Sequence, residues 1–479
     1  MMSLTALLNR RWMTLIVLCL GELMIVLDTT IVNVALPSIR ADLGFTETSL
    51  VWVVNAYMLT FGGFLLLGGR LGDYYGHRKL FLIGLILFTV ASLACGLANT
   101  QLILVVARAI QGLGGAVVSA VALSLIMDLF TEPGERAKAM GVYGFVCAGG
   151  GSIGVLLGGL LTSLFNWHWI FLVNLPIGIG VFILCMKLIP SDHIEQDSSS
   201  HDIAGAFTIT ASLMLAVYAI VNGNEMGWTS MSVIGMLLLA ISLLATFIAI
   251  EQRVTTPLVP LALFRLRNLA ISNITAVLWA ASMFAWFFIS ALYMQLVLGY
   301  SAMQVGLGFL PANLIMAAFS LGISAKMVMR LGIKIPLIAG LLIAALGLAL
   351  FARMPLDGHF VVDLLPGMLL LGLGAGIAFN PMLLAAMNDV SPKESGLASG
   401  IINTSFMMGG ALGLAVLASL AAMRTTYLMG QGIAEVAALN GGYQLAFALG
   451  AVFAAMGALL SALLTNKPPA QMAADSIVH

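Results

Sequence analysis

Charge is what this sequence lacks. Asp, Glu, Lys and Arg make up only 8% of its 479 residues, hydrophobic residues make up 61%, and the mean hydropathy is +1.08. Soluble domains carry about 25% charged and about 45–50% apolar residues, so a soluble globule is excluded and a polytopic membrane protein is predicted. The basic and acidic residues cancel to a net charge of zero, and no run of one sign offers a footprint for nucleic acid. Cysteine is also scarce. Cys19, Cys95, Cys147 and Cys185 all lie in apolar segments without a CxxC or Cys/His spacing, so neither a disulfide nor a metal site is expected. The loops are short and hold no nucleophile and base set, nucleotide loop or metal cluster, which argues against an enzyme and against an organic cofactor.

What the chain has is long apolar runs. The first, Trp12 to Ala35, contains Glu22 and Asp28, is too long for the core of a secretory signal and is expected to be a retained span. At about 20 residues per span, the runs read as 12–36, 48–69, 80–98, 102–128, 139–163, 168–189, 203–222, 230–250, 268–298, 302–329, 333–352, 361–388, 396–423 and 441–465. Fourteen spans put both termini on one side. With that side inside, sixteen of the twenty basic residues fall in inner loops, only Arg40, Arg353 and Arg424 fall outside, and Arg108 lies within a span. Basic loops resist translocation, so this bias supports count and orientation together, with both termini cytoplasmic.

The chain also repeats itself. Pro133, Glu135, Ala139, Gly141, Gly150, Gly151 and Gly154 recur as Pro392, Glu394, Ala398, Gly400, Gly409, Gly410 and Gly413, always 259 positions on. Such a register predicts two homologous six-helix halves, the parallel-repeat plan of secondary transporters. Two helices are left over, most naturally the hairpin 203–250 that follows the polar stretch Ser191 to Asp202. The expected organisation is a six-helix half at 1–190, linker and hairpin at 191–255, and a second six-helix half at 256–479.

Between the second and third runs, charge concentrates in Gly69-x-Leu71-Gly72-Asp73-x-x-Gly76-x-Arg78-Lys79. Glycines permit tight turns and close helix approach, and Asp73 suits a helix N-terminus. This segment resembles the signature loop of the major facilitator superfamily. The resemblance implies a cytoplasmic gate in which Arg78 pairs with an acid at the inner end of the fourth span, where Asp128 stands. Lys326, Arg330, Gly332 and Lys334 echo the loop in the second half without an acid, so a charge-locked gate is expected to be one-sided.

Charged residues inside spans need a reason, since a buried Arg costs about 2.5–3.5 kcal/mol on insertion scales. Arg108-x-x-Gln111-Gly112-x-Gly114-Gly115 resembles the family's fourth-helix motif, in which Arg108 pairs with a polar group of the first span and tunes a nearby carboxylate; a purely structural interhelical bond is the alternative. Leu27-Asp28-Thr29-Thr30 through Ala35-Leu36-Pro37 resembles the first-helix motif of drug:proton antiporters. At 1.5 Å per residue, Glu22 lies roughly 15 Å from Trp12 and Asp28 about 9 Å further. Depth favours Glu22 as the proton carrier and resemblance favours Asp28, so both remain candidates. In the fifth span, Gly150-x-x-x-Gly154-Val155-x-x-Gly158-Gly159 resembles the antiport motif, but Val155 stands where that motif has proline. A helix without that proline keeps a hydrogen bond and is kinked less. Trp167-His168-Trp169-Ile170-Phe171 matches a further family stretch that usually has Arg at the His168 position. His168 is expected to be an ordinary interfacial histidine, with acid sensing as the alternative. The stretch Trp279 to Phe288 is expected to face lipid, with a pocket for bulky lipophilic cations as the other reading.

Together these motifs, the repeat and the extra hairpin resemble the fourteen-span drug:proton antiporter branch of that superfamily. The resemblance implies a monomeric exporter of amphipathic cations in the inner membrane, driven by protons as the coupling ion, whose partners are a small-molecule substrate and the bilayer. A metabolite, lipid or siderophore exporter, or a symporter, is the alternative that Val155 keeps open. A sensor or scaffold without transport is the alternative from another class.

Overall fold

The computed structural model describes residues 4–130, 132–189, 202–255, 257–390 and 395–465. Backbone in hydrocarbon must satisfy its own hydrogen bonds, so the apolar runs become helices. In chain order these are α1 (Leu4–Leu43), α2 (Glu47–Tyr75), α3 (His77–Gly96), α4 (Gln101–Leu129), α5 (Pro133–Leu164), α6 (Trp169–Leu188), α7 (Ile203–Met226) and α8 (Met231–Arg253). They continue with α9 (Arg267–Val297), α10 (Ala302–Ala318, extended by a π turn to Leu331), α11 (Lys334–Phe351), α12 (Phe360–Met387), α13 (Ser395–Gly430) and α14 (Glu435–Ser461). No strand occurs among the described residues. Twelve of these segments are long and apolar enough to cross a bilayer, while α10 and the part Ile153–Leu164 of α5 are shorter apolar helices. That pattern is compatible with fourteen spans.

Helix ends follow local chemistry. Thr100 caps α4 by accepting the Ile103 N–H at 3.3 Å, and Ser301 and Gln304 form a reciprocal capping box at the start of α10. Pro133 opens α5, where a missing N–H costs nothing. Gly76 separates α2 from α3 with φ +94°, a left-handed conformation that side chains rarely adopt.

Two compact units result. The first comprises residues 1–46, 52–214 and 239–258, and the second 47–51, 215–238 and 259–479. Within the first, α1 packs on α4, α5 and α6, and α3 on α4 and α6; within the second, α9 packs on α12, α13 and α14, and α11 on α12 and α14. Moving eight helices along the chain turns one list into the other, so the sequence repeat is a packing repeat. Its glycines show why. A Cβ on Gly150 would lie 2.9 Å from Val26 and one on Gly154 2.1 Å from Thr30; on the repeated Gly409 and Gly413 it would lie 2.6 Å from Val277 and 2.0 Å from Ala281. The same two positions of α1 and α9, 251 residues apart, receive them.

The aromatic stretch of α9 departs from the lipid-facing expectation. Trp279, Trp286, Phe287 and Phe288 are buried, and the Trp286 ring lies 4.4 Å from Phe287, 5.8 Å from Phe309 and 6.5 Å from Phe351. Seven-residue spacing keeps both tryptophans on one helix face, and that face is turned into the second bundle.

Candidate functional site

The two buried acids of α1, Asp28 and Glu22, each sit in a polar cluster of their own. The deeper cluster is built on Asp28, which is fully buried. Arg108 of α4 sends Nη1 to Asp28 Oδ2 at 2.5 Å, and Gln111, one turn on, sends Nε2 to Oδ1 at 2.7 Å. Asn174 of α6 donates to the same Oδ1 at 3.0 Å. Two helices, α4 and α6, therefore converge on one carboxylate of α1. Arg108 has further acceptors in Gln111 Oε1 at 2.7 Å and the Val53 carbonyl of α2 at 2.9 Å, and its guanidinium sits 4.5 Å from the Tyr57 ring centre and 5.6 Å from that of Phe171. Gln111 also donates to Ser92 Oγ of α3 at 2.8 Å. Charge meets charge and most lone pairs are satisfied, which is the condition under which a buried ion pair is tolerated.

The sequence makes this geometry possible through small residues. Arg108 and Gln111 are three apart, so they share a helix face. Gly112 lets that face reach α2, because a Cβ there would lie 2.3 Å from the Tyr57 carbonyl oxygen; at Gly114 it would lie 2.6 Å from the Phe88 nitrogen of α3. On the far side of α1, Gly150, Gly154 and Gly158 press α5 against Leu23, Leu27 and Ile31. The fifth-span glycines thus set the position of the helix that carries both carboxylates. Gly159 and Val155 are buried in the same helix.

Glu22 is the second place, and its environment differs. Ser119 of α4 donates to Oε1 at 3.0 Å and Tyr143 of α5 faces the carboxyl, but Oε2 is buried without a hydrogen-bond partner among the described residues. No basic side chain forms an ion pair with Glu22 there. Of the two acids that sequence reasoning left open, one is locked into a charge-compensated knot and the other has an oxygen to spare.

At the other end of α3, the side chain of Asp73 lies outside the described residues. Gly69 and Gly72 pack beside Ala120 and Val121 of α4. Asp128 does stand at the end of α4, but its partner is His77, whose Nδ1 lies 3.1 Å from Oδ2. Arg78 turns to α6 instead and donates through Nη2 to the Met186 carbonyl at 2.9 Å. Consecutive residues on a helix point about 100° apart, so the residue before Arg78 meets the acid. His168 stacks on Trp167 with ring centres 3.7 Å apart, and Trp167 donates to Asp42 at 2.9 Å.

Sequence reasoning found Asp28 and Arg108 but not Asn174, Ser92 or Ser119. Asn174 carried a usable signal, since an amide inside an apolar run is expensive unless bonded. The serines carried none, being ordinary small residues at helix contacts.

Comparison with known proteins agrees with this architecture. Residues 18–414 match the family Major Facilitator Superfamily. The chain is 39% identical over 461 residues to a puromycin resistance protein of Streptomyces alboniger, covering 95% of this chain and 90% of that one. It is 37% identical over 462 residues to a cephamycin export protein of Amycolatopsis lactamdurans, covering 95% and 93%. A multidrug resistance protein, Stp, of Mycobacterium tuberculosis is 36% identical over 412 residues, covering 86% and 76%. Among solved structures, a nucleoside transporter NupG mutant superposes with TM-score 0.66 at 14% identity, covering 95% and 100%, and a bacterial homologue of Spinster with TM-score 0.65 at 17% identity, covering 95% and 98%. Fold, packing repeat, motifs and relatives meet in one conclusion: this chain is a multi-pass membrane protein of the major facilitator superfamily.

Proposed function

We propose that this protein exports amphipathic, cationic drugs or toxic compounds by alternating access, as a monomer in the inner membrane with both termini in the cytoplasm, and that protons drive it. The observation that carries the reading is the contrast along α1. Asp28 is held by Arg108, Gln111 and Asn174, while Glu22 is buried with Oε2 unpartnered among the described residues. A proton held on the Glu22 carboxyl removes its charge, and a cation that reaches the emptied carboxylate competes with that proton. The names of the relatives, which describe resistance to or export of antibiotics, support a drug as the cargo. Arg108 fixes Asp28 and so the pitch of α1, and the segment around Gly69, Asp73, Gly76, Arg78 and Asp128 gates the inner side.

Proteoliposomes holding the purified chain, with an imposed pH gradient and a panel of lipophilic cations, test this directly. At least one compound should accumulate against its gradient while dissipating that of protons. If none moves and the gradient is untouched, export by proton exchange is wrong; movement together with protons in the same direction would establish the symport alternative.

A further inference from the structure

Tyr57 of α2 carries an oxygen that its packing does not use. The ring lies 4.5 Å from the Arg108 guanidinium and stacks on Phe61 with centres 5.7 Å apart, contacts that phenylalanine would make as well. The hydroxyl is another matter. Tyr57 is only 1% exposed, and its Oη is buried with no hydrogen-bond partner among the described residues. A buried polar atom left unpaired costs stability, so packing alone favours phenylalanine here.

Room for the hydroxyl comes from α4. A Cβ on Gly115 would lie 2.9 Å from Tyr57 Oη, so that oxygen rests against the bare backbone of Gly115. Four residues further along α4, Ser119 holds Glu22, whose Oε2 is likewise buried without a partner among the described residues. Arg108, Gln111, Gly115 and Ser119 have the three-four-four spacing of one helix face. The locked Asp28 cluster, the Tyr57 hydroxyl and Glu22 therefore follow one another along a single stripe of α4. Gly115 and Ser119 are separated by about 6 Å along the axis, and a water with bonds of about 2.8 Å to two oxygens spans about 5.5 Å. The ionisable groups within reach of Glu22 are Cys19 of α1, Tyr57 of α2 and Tyr143 of α5.

The second bundle supplies a comparison. Gly112 and Gly372 press on the carbonyls of Tyr57 and Ala312, which aligns those two residues, and three positions on Ala375 stands where α4 has Gly115. The bundle with Asn273 at the place of Glu22 thus has neither the hydroxyl nor the glycine that accommodates it.

We propose that Tyr57 is a positioning residue for proton transfer: its hydroxyl and Glu22 Oε2 hold one water between them. A proton arriving on that water passes to Oε2, leaving a neutral carboxyl and the same water on Tyr57 Oη. This rests on the export reading, which takes Glu22 as the proton carrier.

Tyr57→Phe tests it, since it removes one oxygen and leaves the ring on Arg108. The variant should unfold close to the wild-type midpoint. In proteoliposomes, accumulation of a lipophilic cation driven by a pH gradient should fall by about tenfold, while exchange of that cation for itself, which moves no net proton, should be unchanged. Infrared difference spectra of the wild type between acid and alkaline buffer should show a water O–H band that moves when oxygen-18 water is used, a readout that needs no variant to fold; Tyr57→Phe and Glu22→Gln should each lack it. A coupled wild type with an equally coupled Tyr57→Phe would overturn the role of Tyr57 and leave the export reading standing, whereas a wild type that moves no protons would overturn both. No such band in the wild type, or equal loss of driven accumulation and exchange in the variant, would also overturn the proposal, the latter by showing a merely structural role.

Discussion

Replacing Asp28 with asparagine separates a structural acid from a proton-carrying one. The carboxylate accepts from Arg108, Gln111 and Asn174, and Arg108 is only 1% exposed. Asp28→Asn leaves the guanidinium without its counter-charge, and breaking a buried pair in this way costs about 3–5 kcal/mol. The amide also offers one acceptor oxygen to three donors, and interhelical hydrogen bonds in bilayers are worth about 0.6 kcal/mol on average. A loss of about 4 kcal/mol is therefore expected, lowering the unfolding midpoint by roughly 8 °C or more at about 2–4 °C per kcal/mol. Removing both charges, Asp28→Leu with Arg108→Met, should recover most of that loss, because buried pairs replaced by apolar side chains are often neutral. The assay is thermal unfolding in detergent, with monodispersity by size exclusion. A single variant that melts with the wild type, or a double variant less stable than the single, would refute the view that Asp28 acts chiefly through its compensated charge.

Glu22→Gln keeps the Ser119 contact and should unfold within about 1 kcal/mol of wild type, the scale of one neutral hydrogen bond, while proton flux coupled to drug movement disappears in proteoliposomes; full coupling would remove Glu22 from the mechanism. Gly112→Val places carbon against the Tyr57 carbonyl, which is backbone and cannot step aside; folded protein recovered by size exclusion should fall sharply, by more than about 3 kcal/mol of overpacking, and normal yield would disprove the contact. Gly76→Ala forces φ +94° on a side chain and should cost about 1–2 kcal/mol in thermal unfolding. Asp73→Asn should slow turnover with little change in substrate affinity, measured by transport kinetics. His77→Gln, which removes the exposed pair with Asp128, should cost less than about 1 kcal/mol.

Helical spans, their order and the repeat were legible in the sequence because hydropathy and glycine spacing are local signals. Asp28 and Arg108 were legible for a related reason: ionisable residues in apolar runs are costly enough to advertise themselves. What pairs with what was not. Whether Arg78 or His77 meets Asp128 depends on the rotation of α3 about its axis, which one residue changes by about 100°. The different surroundings of Glu22 and Asp28 depend on Gln111, Asn174 and Ser119, which lie 83, 146 and 97 positions from the acid each one touches. The inward turn of Trp279 and Trp286 is legible only once Phe309 and Phe351 are placed around them.

The packing repeat adds a comparison that no single motif supplies. Because Val26 and Thr30 correspond to Val277 and Ala281, Asp28 corresponds to Trp279 and Glu22 to Asn273. The close pairs Gly84 with Gly114 and Gly340 with Gly374 likewise align α4 with α12, setting Met368 opposite Arg108 and Leu371 opposite Gln111. All four counterparts are buried and neutral. The second bundle thus keeps the helix contacts of the first while Trp279 and Met368 occupy the positions of Asp28 and Arg108 and a neutral amide, Asn273, that of Glu22. Packing can be preserved through such a replacement because a compensated ion pair and an apolar cluster of similar volume are near in stability. What cannot be preserved is proton exchange, which needs a carboxyl. Stability therefore gives no reason to keep Glu22, Asp28 and Arg108 in one bundle alone, whereas the proton exchange proposed above would require a carboxyl there.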